Sequence, residues 1–381
     1  LIDDISSHEA KFGADCGATE AFKQSHARRQ ARYARSSSPY LIDIPTQIEI
    51  CASRFYQRVW NDIPSTLTLM IGQVVFSIII GSLFYGSAFG TEDFTLKMSA
   101  LFFAILLNSL LTVTEIQNLY AQRPIVEKQA SYAFYHPFTE ALAGVCADIP
   151  IKVGCSLLFN IVFYFMCGFR YEAGPFFVFY LFVTMALLCM SQIFRSLAAA
   201  TKAIPQALAA AGVILLATVI YTGYLLPQPS MHPWFKWISY INPLRYAFEA
   251  LAVNEFHGRD FPCSDLVPLY PGLKNGSGTY FICAAKGAVA GELYVSGDDF
   301  LSVSYGYEYS HLWRNFGILC AFVIAFLALY LVLTEINSQS SSTAESLVFR
   351  HGRIPVAFEK SANDPKAANV SATQGQETGD E

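Results

Sequence analysis

Six stretches of this sequence are long enough and apolar enough to cross a lipid bilayer, and that feature alone sets the class of fold. They are residues 67–84, 98–114, 149–169, 173–194, a charge-free run over 203–232, and 316–334. A bilayer span needs about 20 mostly apolar residues. Inside hydrocarbon every backbone N–H and C=O must be paired within the chain, so these runs are expected to be helices. The period-two alternation of a membrane barrel is absent. Composition agrees: 53% of the 381 residues are hydrophobic and only 14% charged, against about a quarter charged in soluble domains. A disordered tail, a small disulfide scaffold and an ordinary cytosolic enzyme are excluded. The net charge of −5 gives no sign of a nucleic-acid partner. The expected fold is an all-α polytopic membrane domain of six transmembrane helices.

An even number of spans puts both ends on one side, and the Lys/Arg distribution says which. Arg28, Arg29, Arg32, Arg35, Arg54 and Arg58 precede the first span, Arg123 and Lys128 fall between the second and third, and Arg195 and Lys202 between the fourth and fifth. The opposite face offers only Lys97 at a span edge beside Glu92 and Asp93. Both termini are therefore expected in the cytoplasm. No secretory signal peptide is seen, since the first 60 residues are polar. The first residue is Leu rather than Met, which suggests a piece of a longer product. The loop over about 227–313 holds the acceptor triplet Asn275-Gly276-Ser277, bracketed by Cys263 and Cys283. N-glycosylation at Asn275 and a Cys263–Cys283 disulfide are both permitted on an outer surface, the alternative being two free thiols. Residues 1–40 and 337–381 read as polar linkers flanking a membrane domain over 41–336.

The catalytic motifs are missing. No G-x-x-x-x-G-K-[ST], H-E-x-x-H or G-x-S-x-G occurs. His136, His232, His257 and His311 lack partners at metal-ligand spacing, so no metal site and no catalytic residue is expected. The mid-span residues are apolar or hydroxyl-bearing, which weakens a proton-coupled carrier or an intramembrane hydrolase. Any energy source must come from outside this chain.

Polar residues still form patterns. Before the first span, Ile48, Cys51, Phe55 and Val59 recur on one helical stripe with Arg54 and Arg58 off it, which suits a helix lying in the membrane interface. A solvated cytosolic helix is the alternative. Span two places Ala104, Asn108 and Thr112 at i, i+4, i+8, with Phe103 beside them. Span five places Thr218, Tyr221 and Thr222 near its end, with Leu215 adjacent. Helix packing explains any one of these hydroxyls and amides, whereas a substrate path explains them together. Asp148 and Lys152, four apart, read as a self-neutralising pair. The helix after span two, beginning near Glu115, is expected to run to Pro124. Trp234, Trp237, Tyr240 and Tyr246 flank Asn242-Pro243 as two short helices dipping into the outer leaflet.

Four long segments carry a resemblance: SPYLIDIPTQIEICASRFYQRVWND (38–62), AQRPIVEKQASYAFYHPFTEALA (121–143), YTGYLLPQPSMHPWFKWISYINPLRYAFEALAVNEFHGRDFPC (221–263) and YSHLWRNFGILCAF (309–322). In that order they resemble the membrane half of ABC-2 type exporters of the fungal pleiotropic drug resistance branch, most like its first membrane domain. The resemblance implies a permease domain for hydrophobic compounds, xenobiotics or lipids, in the plasma membrane, partnered by nucleotide-binding domains and a second membrane domain. ATP and Mg²⁺ would sit on those other domains, and this chain would bind no cofactor. It further implies a substrate slit of Phe103, Asn108, Thr112, Leu215, Thr218, Tyr221 and Thr222, and an outer plug of Leu225 and Leu226. Coupling to the ATPase domains would involve Arg54, Arg58, Glu115, Arg123, Glu127 and Lys128. A non-transporting membrane scaffold is the alternative function, and a secondary carrier a further one. An epitope inserted near Ala344 is expected to mark a native product far larger than this chain that shrinks on deglycosylation. An unmodified band of the chain's own mass would speak for the scaffold.

Overall fold

The computed structural model describes residues 24–31, 40–86, 90–268 and 281–337. The polar linkers, for the most part, and the acceptor Asn275 lie outside the described residues. From Ile44 onward the described residues form the helices α1 (Ile44–Asn61), α2 (Ile63–Leu83), α3 (Phe94–Leu111), α4 (Thr114–Ser131), α5 (Pro137–Met166), α6 (Ala173–Ala200), α7 (Ile204–Ile220), α8 (Lys236–Ile241), α9 (Pro243–Phe256), α10 (Gly297–Tyr305) and α11 (Leu312–Asn337). Four short strands, β1 (Asp260–Pro262), β2 (Leu266–Pro268), β3 (Phe281–Cys283) and β4 (Tyr294–Ser296), make two antiparallel pairs, β1 with β4 and β2 with β3.

Among the described residues five helical segments are long and apolar enough to cross a membrane: Ile63–Leu83, Thr91–Ser131, Pro137–Met166, Ala173–Ala200 and Tyr309–Asn337. The fifth apolar run of the sequence is shorter as a helix than its charge-free length. Pro205 opens α7, which stops at Ile220, and Gly223 then turns the chain with φ of +101°. Prolines favour a first helical turn, and positive φ favours glycine. At 17 residues α7 is about 26 Å long, a little under the hydrocarbon thickness of about 30 Å.

Helix α6 is the central post. It packs against α3, α4, α5, α7, α9 and α11, and 61% of its apolar window is buried, against 11% for α2. Helix α2 rests on α5, where the Ser77 hydroxyl donates to the Phe159 carbonyl at 2.9 Å and Gly81 lies against Met166. Ile63, Leu67, Leu69, Ile71, Val75, Phe76, Ile78, Ile79 and Leu83 of α2 stay exposed, as expected of a helix facing lipid.

Two boundaries differ from the sequence reading. The helix after span two does not end near Pro124: α4 carries that proline inside it and continues to Ser131. The break falls earlier, at Thr112–Val113, where backbone bonds shorten to the i→i+3 type and the Thr112 hydroxyl donates to the Ser109 carbonyl at 2.6 Å. Hydroxyls that bond their own helix backbone loosen it there. Arg195 does not lie in a connection between spans four and five. Helix α6 runs on through Ala198–Ala200 and buries it.

At the strand end of the bundle, Phe94, Phe256, Phe261 and Phe300 form one aromatic knot. Phe94 stands edge-on to Phe261 with centroids 4.9 Å apart and lies 4.2 Å from Phe300. Cys263 and Cys283 form a disulfide with Cα atoms 5.7 Å apart. Ser264 N–H donates to the Thr91 hydroxyl at 3.1 Å and so fastens the strands to the start of α3. Gly297, opening α10, has no room for a side chain, since a Cβ there would fall 2.1 Å from the Phe256 carbonyl oxygen. Gly297→Ala is therefore expected to abolish the monodisperse folded species in detergent size-exclusion chromatography, whereas Gly212→Ala, with open space around its Cα, is expected to elute unchanged.

Candidate functional site

Charged residues concentrate at the two ends of the bundle. At the end nearest α1, four groups from three helices meet. Arg195 of α6 reaches Glu115 of α4 at 2.8 Å and Asp148 of α5 at 2.5 Å. Lys152 of α5 reaches the same two carboxylates at 2.8 and 2.7 Å, and donates to the Ser191 hydroxyl at 2.5 Å. The Asp148–Lys152 pair read from spacing is thus half of a four-charge cluster, and its net formal charge is zero. Burying ions in this way adds little net stability, but removing one partner strands the rest.

The predicted coupling residues surround this cluster, and the structure divides them. Arg54 is held by Glu140 at 3.0 Å and by the Gln129 side-chain oxygen at 2.8 Å, with Tyr135 beside it. Arg123 donates to the carbonyls of Ala198 at 2.6 Å and Thr201 at 2.8 Å, stacked on the Tyr120 ring. It serves as a cap on the C-terminal end of α6, where orphan carbonyls and the helix dipole both favour a cation. Glu115 belongs to the buried cluster. Glu127 is half-buried, while Arg58 and Lys128 remain exposed. The stripe of α1 that carries Ile48 and Cys51 packs on α5, around Tyr135 and Ala143. Burial and the neighbouring Glu140 push the Cys51 thiol up to about 12, so it stays protonated at neutral pH.

The residues read as a substrate path occupy α3, α7 and the turn after it. Asn108 is buried and donates to the Ala104 carbonyl at 2.7 Å, leaving its side-chain oxygen without a partner. Thr218 donates to the Leu215 carbonyl at 2.9 Å and Thr222 to the Thr218 carbonyl, both in α7 and its extension. Phe103, Leu215 and Tyr221 are half-buried, and Leu225 and Leu226 are exposed. The hydroxyls therefore satisfy their own helices. What ties α3 to this region is a residue that sequence reading passed over. Tyr224 meets the Ser99 hydroxyl at 2.5 Å and stacks on Phe102 with centroids 4.7 Å apart. Asn242 caps α9 and also donates to the Thr218 carbonyl at 2.7 Å.

The strand end holds the second charged group. Lys97, read as a span-edge cation, is 2% exposed and lies 3.7 Å from Glu255 of α9. Arg259 also bonds Glu255, and the Arg170 N–H donates to it at 3.1 Å. Three histidines sit against carboxylates: His136 with Glu335 at 3.3 Å, His257 with Asp298 at 2.9 Å, and His311 with buried Glu249 at 3.0 Å. Among the described residues no group of His, Cys, Asp or Glu forms a metal-binding cluster.

A bundle with long apolar helices, an unpartnered lipid-type face and charges cancelled inside it is a multi-pass membrane domain. The family described as ABC-2 type transporter matches residues 46–256, and that described as CDR ABC transporter matches residues 267–357. The chain belongs to the ABC-2 type transporter family. It is 49% identical over 97% of its length to the ABC multidrug transporter atrA of Aspergillus oryzae. It is 51% identical over 91% of its length to the ABC multidrug transporter atrI of Aspergillus fumigatus, and 49% identical over 97% to the ABC multidrug transporter MDR1 of Trichophyton equinum. The chain spans about a quarter of the length of these curated relatives, covering 25%, 23% and 24% of them respectively.

Arg195→Met leaves Glu115 and Asp148 facing only Lys152, and is expected to cost about 3–5 kcal/mol. Thermal unfolding in detergent reads this as a clear loss, with Arg195→Lys retaining part of the stability. An unchanged melting temperature in Arg195→Met would remove the cluster from the structural argument.

Proposed function

We propose that residues 41–336 form the six-span permease domain of an ATP-driven exporter for hydrophobic compounds, drugs or lipids, at the plasma membrane. The near-half identity to multidrug transporters over almost the whole chain carries the reading. In it α7, extended by the Tyr221–Leu226 turn, supplies span five beside the five longer segments, and α1 lies in the cytoplasmic interface. Both termini are cytoplasmic, residues 1–40 and 337–381 are linkers, and the segment 227–313 forms the extracellular loop, glycosylated at Asn275. Helices α8 and α9 enter the outer leaflet and return, with Trp234, Trp237 and Tyr240 exposed at the interface, as their amphipathic rings favour.

Nucleotide-binding domains would supply ATP, Mg²⁺ and hydrolysis, and a second membrane domain would face α3 and α7 across a slit lined by Phe103, Asn108, Thr112, Leu215, Thr218, Tyr221 and Thr222. Leu225 and Leu226, exposed here, would meet their counterparts as a dry plug. Force from the ATPase domains would enter through α1 and α4. Arg54 and Arg123 are engaged within the domain, so they transmit movement from α1 to α5 and from α4 to α6. Arg58 and Lys128, exposed, are the contact points.

In an exporter carrying this domain with its ATPase domains, Arg58→Glu together with Lys128→Glu is expected to lower efflux of a hydrophobic dye severalfold while ATP hydrolysis persists. Normal efflux from the double variant in vesicles, at normal expression, would reject this coupling face.

A further inference from the structure

We infer that a cavity at the α1 end is a binding site for a small organic ammonium compound, separate from the slit proposed at α3 and α7. The cavity measures about 160 Å³, is lined by α1, α4, α5, α6 and α11, and is partly open to the outside. An apolar cavity of about 150 Å³ takes a single benzene ring, so the volume holds one ring, and a short polar arm extends into the partly open side. Its aromatic lining residues are Phe55 and Tyr330. The lining also bears the carboxylates of Glu115, Glu127, Glu140 and Asp148 and the guanidiniums of Arg123 and Arg195.

Those charges are unequally satisfied. Glu115, Asp148 and Arg195 bond one another, with Lys152 behind them. Arg123 spends its donors on the carbonyls of Ala198 and Thr201. Glu140 holds Arg54 on Oε1 and keeps Oε2 buried without a hydrogen bond, with only the weakly donating Cys51 thiol beside the carboxylate. Glu127 has no ion pair among the described residues. Two carboxylates thus retain capacity for a cation. Arg195, 6% exposed, lines the same cavity and has an Nε–H without an acceptor. A buried donor and a buried acceptor left open in one cavity mark where a polar occupant belongs.

The occupant must offer a cation to Glu127 and Glu140, an oxygen to Arg195 Nε, and a ring to Phe55 or Tyr330. An aryl amino-alcohol has these three parts. Aromatic side chains attract an ammonium group as well as a ring, most strongly when both are out of water. Gly144 gives a way to close the cavity: it lines the space, and a Cβ there would meet nothing within 4 Å.

The test is equilibrium binding of phenylethanolamine to the full chain in lipid nanodiscs at neutral pH, with empty nanodiscs subtracted. Phenethyl alcohol serves as the neutral comparison. Saturable binding is expected, about tenfold weaker for the alcohol and about tenfold weaker in Glu127→Gln, and lost in Gly144→Leu. Thermal unfolding verifies that the variants are folded; should Gly144→Leu fail to fold, Glu127→Gln and the alcohol decide. No saturable binding, equal affinity for the alcohol, full affinity in Glu127→Gln, or retention in folded Gly144→Leu each overturns the assignment and leaves the cavity to water.

Discussion

A bilayer offers no water to a buried charge, and the bundle depends on cancelling four charges at one point. Arg195 occupies the helix with the most neighbours, where a guanidinium alone would cost several kcal/mol. Glu115 and Asp148 hold it there, and Lys152 balances the second carboxylate. The cluster fixes more than energy. One residue of slip turns a helix by about 100°, which would carry any of these side chains out of reach. Helices α4, α5 and α6 are therefore locked in rotational register, whereas the apolar contacts between them would tolerate small rotations.

The strand end repeats the logic with other means. Glu255 collects Lys97, Arg259 and the Arg170 N–H, and the Phe261 ring faces both cations at 5.6 and 5.4 Å. Helix α9 is held at its far end by this group and in its middle by the Glu249–His311 bond. That explains how a short helix with three charged residues stays almost entirely buried: each charge faces a partner or an aromatic ring, Arg245 lying over Tyr240 and Tyr246. The two charged groups are tied to successive helices of one segment, Lys97 to the first turn of α3 and Glu115 to the first turn of α4, just past the break at Thr112–Val113.

The apolar runs were legible because lipid solvation is a property of each segment by itself. Helix class followed for the same reason, and the Cys263–Cys283 bracket was readable as a permitted bridge. What stayed hidden was pairing across helices. Arg195 looked like a loop cation because charge ends an apolar run, yet the alanines at 198–200 already indicated that the helix continues. Lys97 looked like an edge residue because its acceptor, Glu255, is far along the chain. Asp148 and Lys152 announced themselves by their spacing of four, and that spacing concealed the two partners supplied by other helices. Arg123 was read as a lever, and nothing local in the sequence reveals that it caps α6. Pro124 misled for a simpler reason: a proline in α4 sits where its ring is exposed, and the helix accommodates it.

The proposed slit faced by α3 and α7 shows how a membrane helix could carry polar groups without becoming choosy. Thr112, Thr218 and Thr222 close their hydroxyls on carbonyls three or four residues back. A satisfied hydroxyl asks nothing of a solute, and an unpaired one would penalise every solute that failed to match it. In the exporter reading such a surface would select by size and apolarity, the kind of surface that accepts many partners. Asn108 departs from this pattern, since its side-chain oxygen is buried with no donor. Because that oxygen is buried, in the exporter reading it would discriminate between solutes only in a state of the domain that uncovers it.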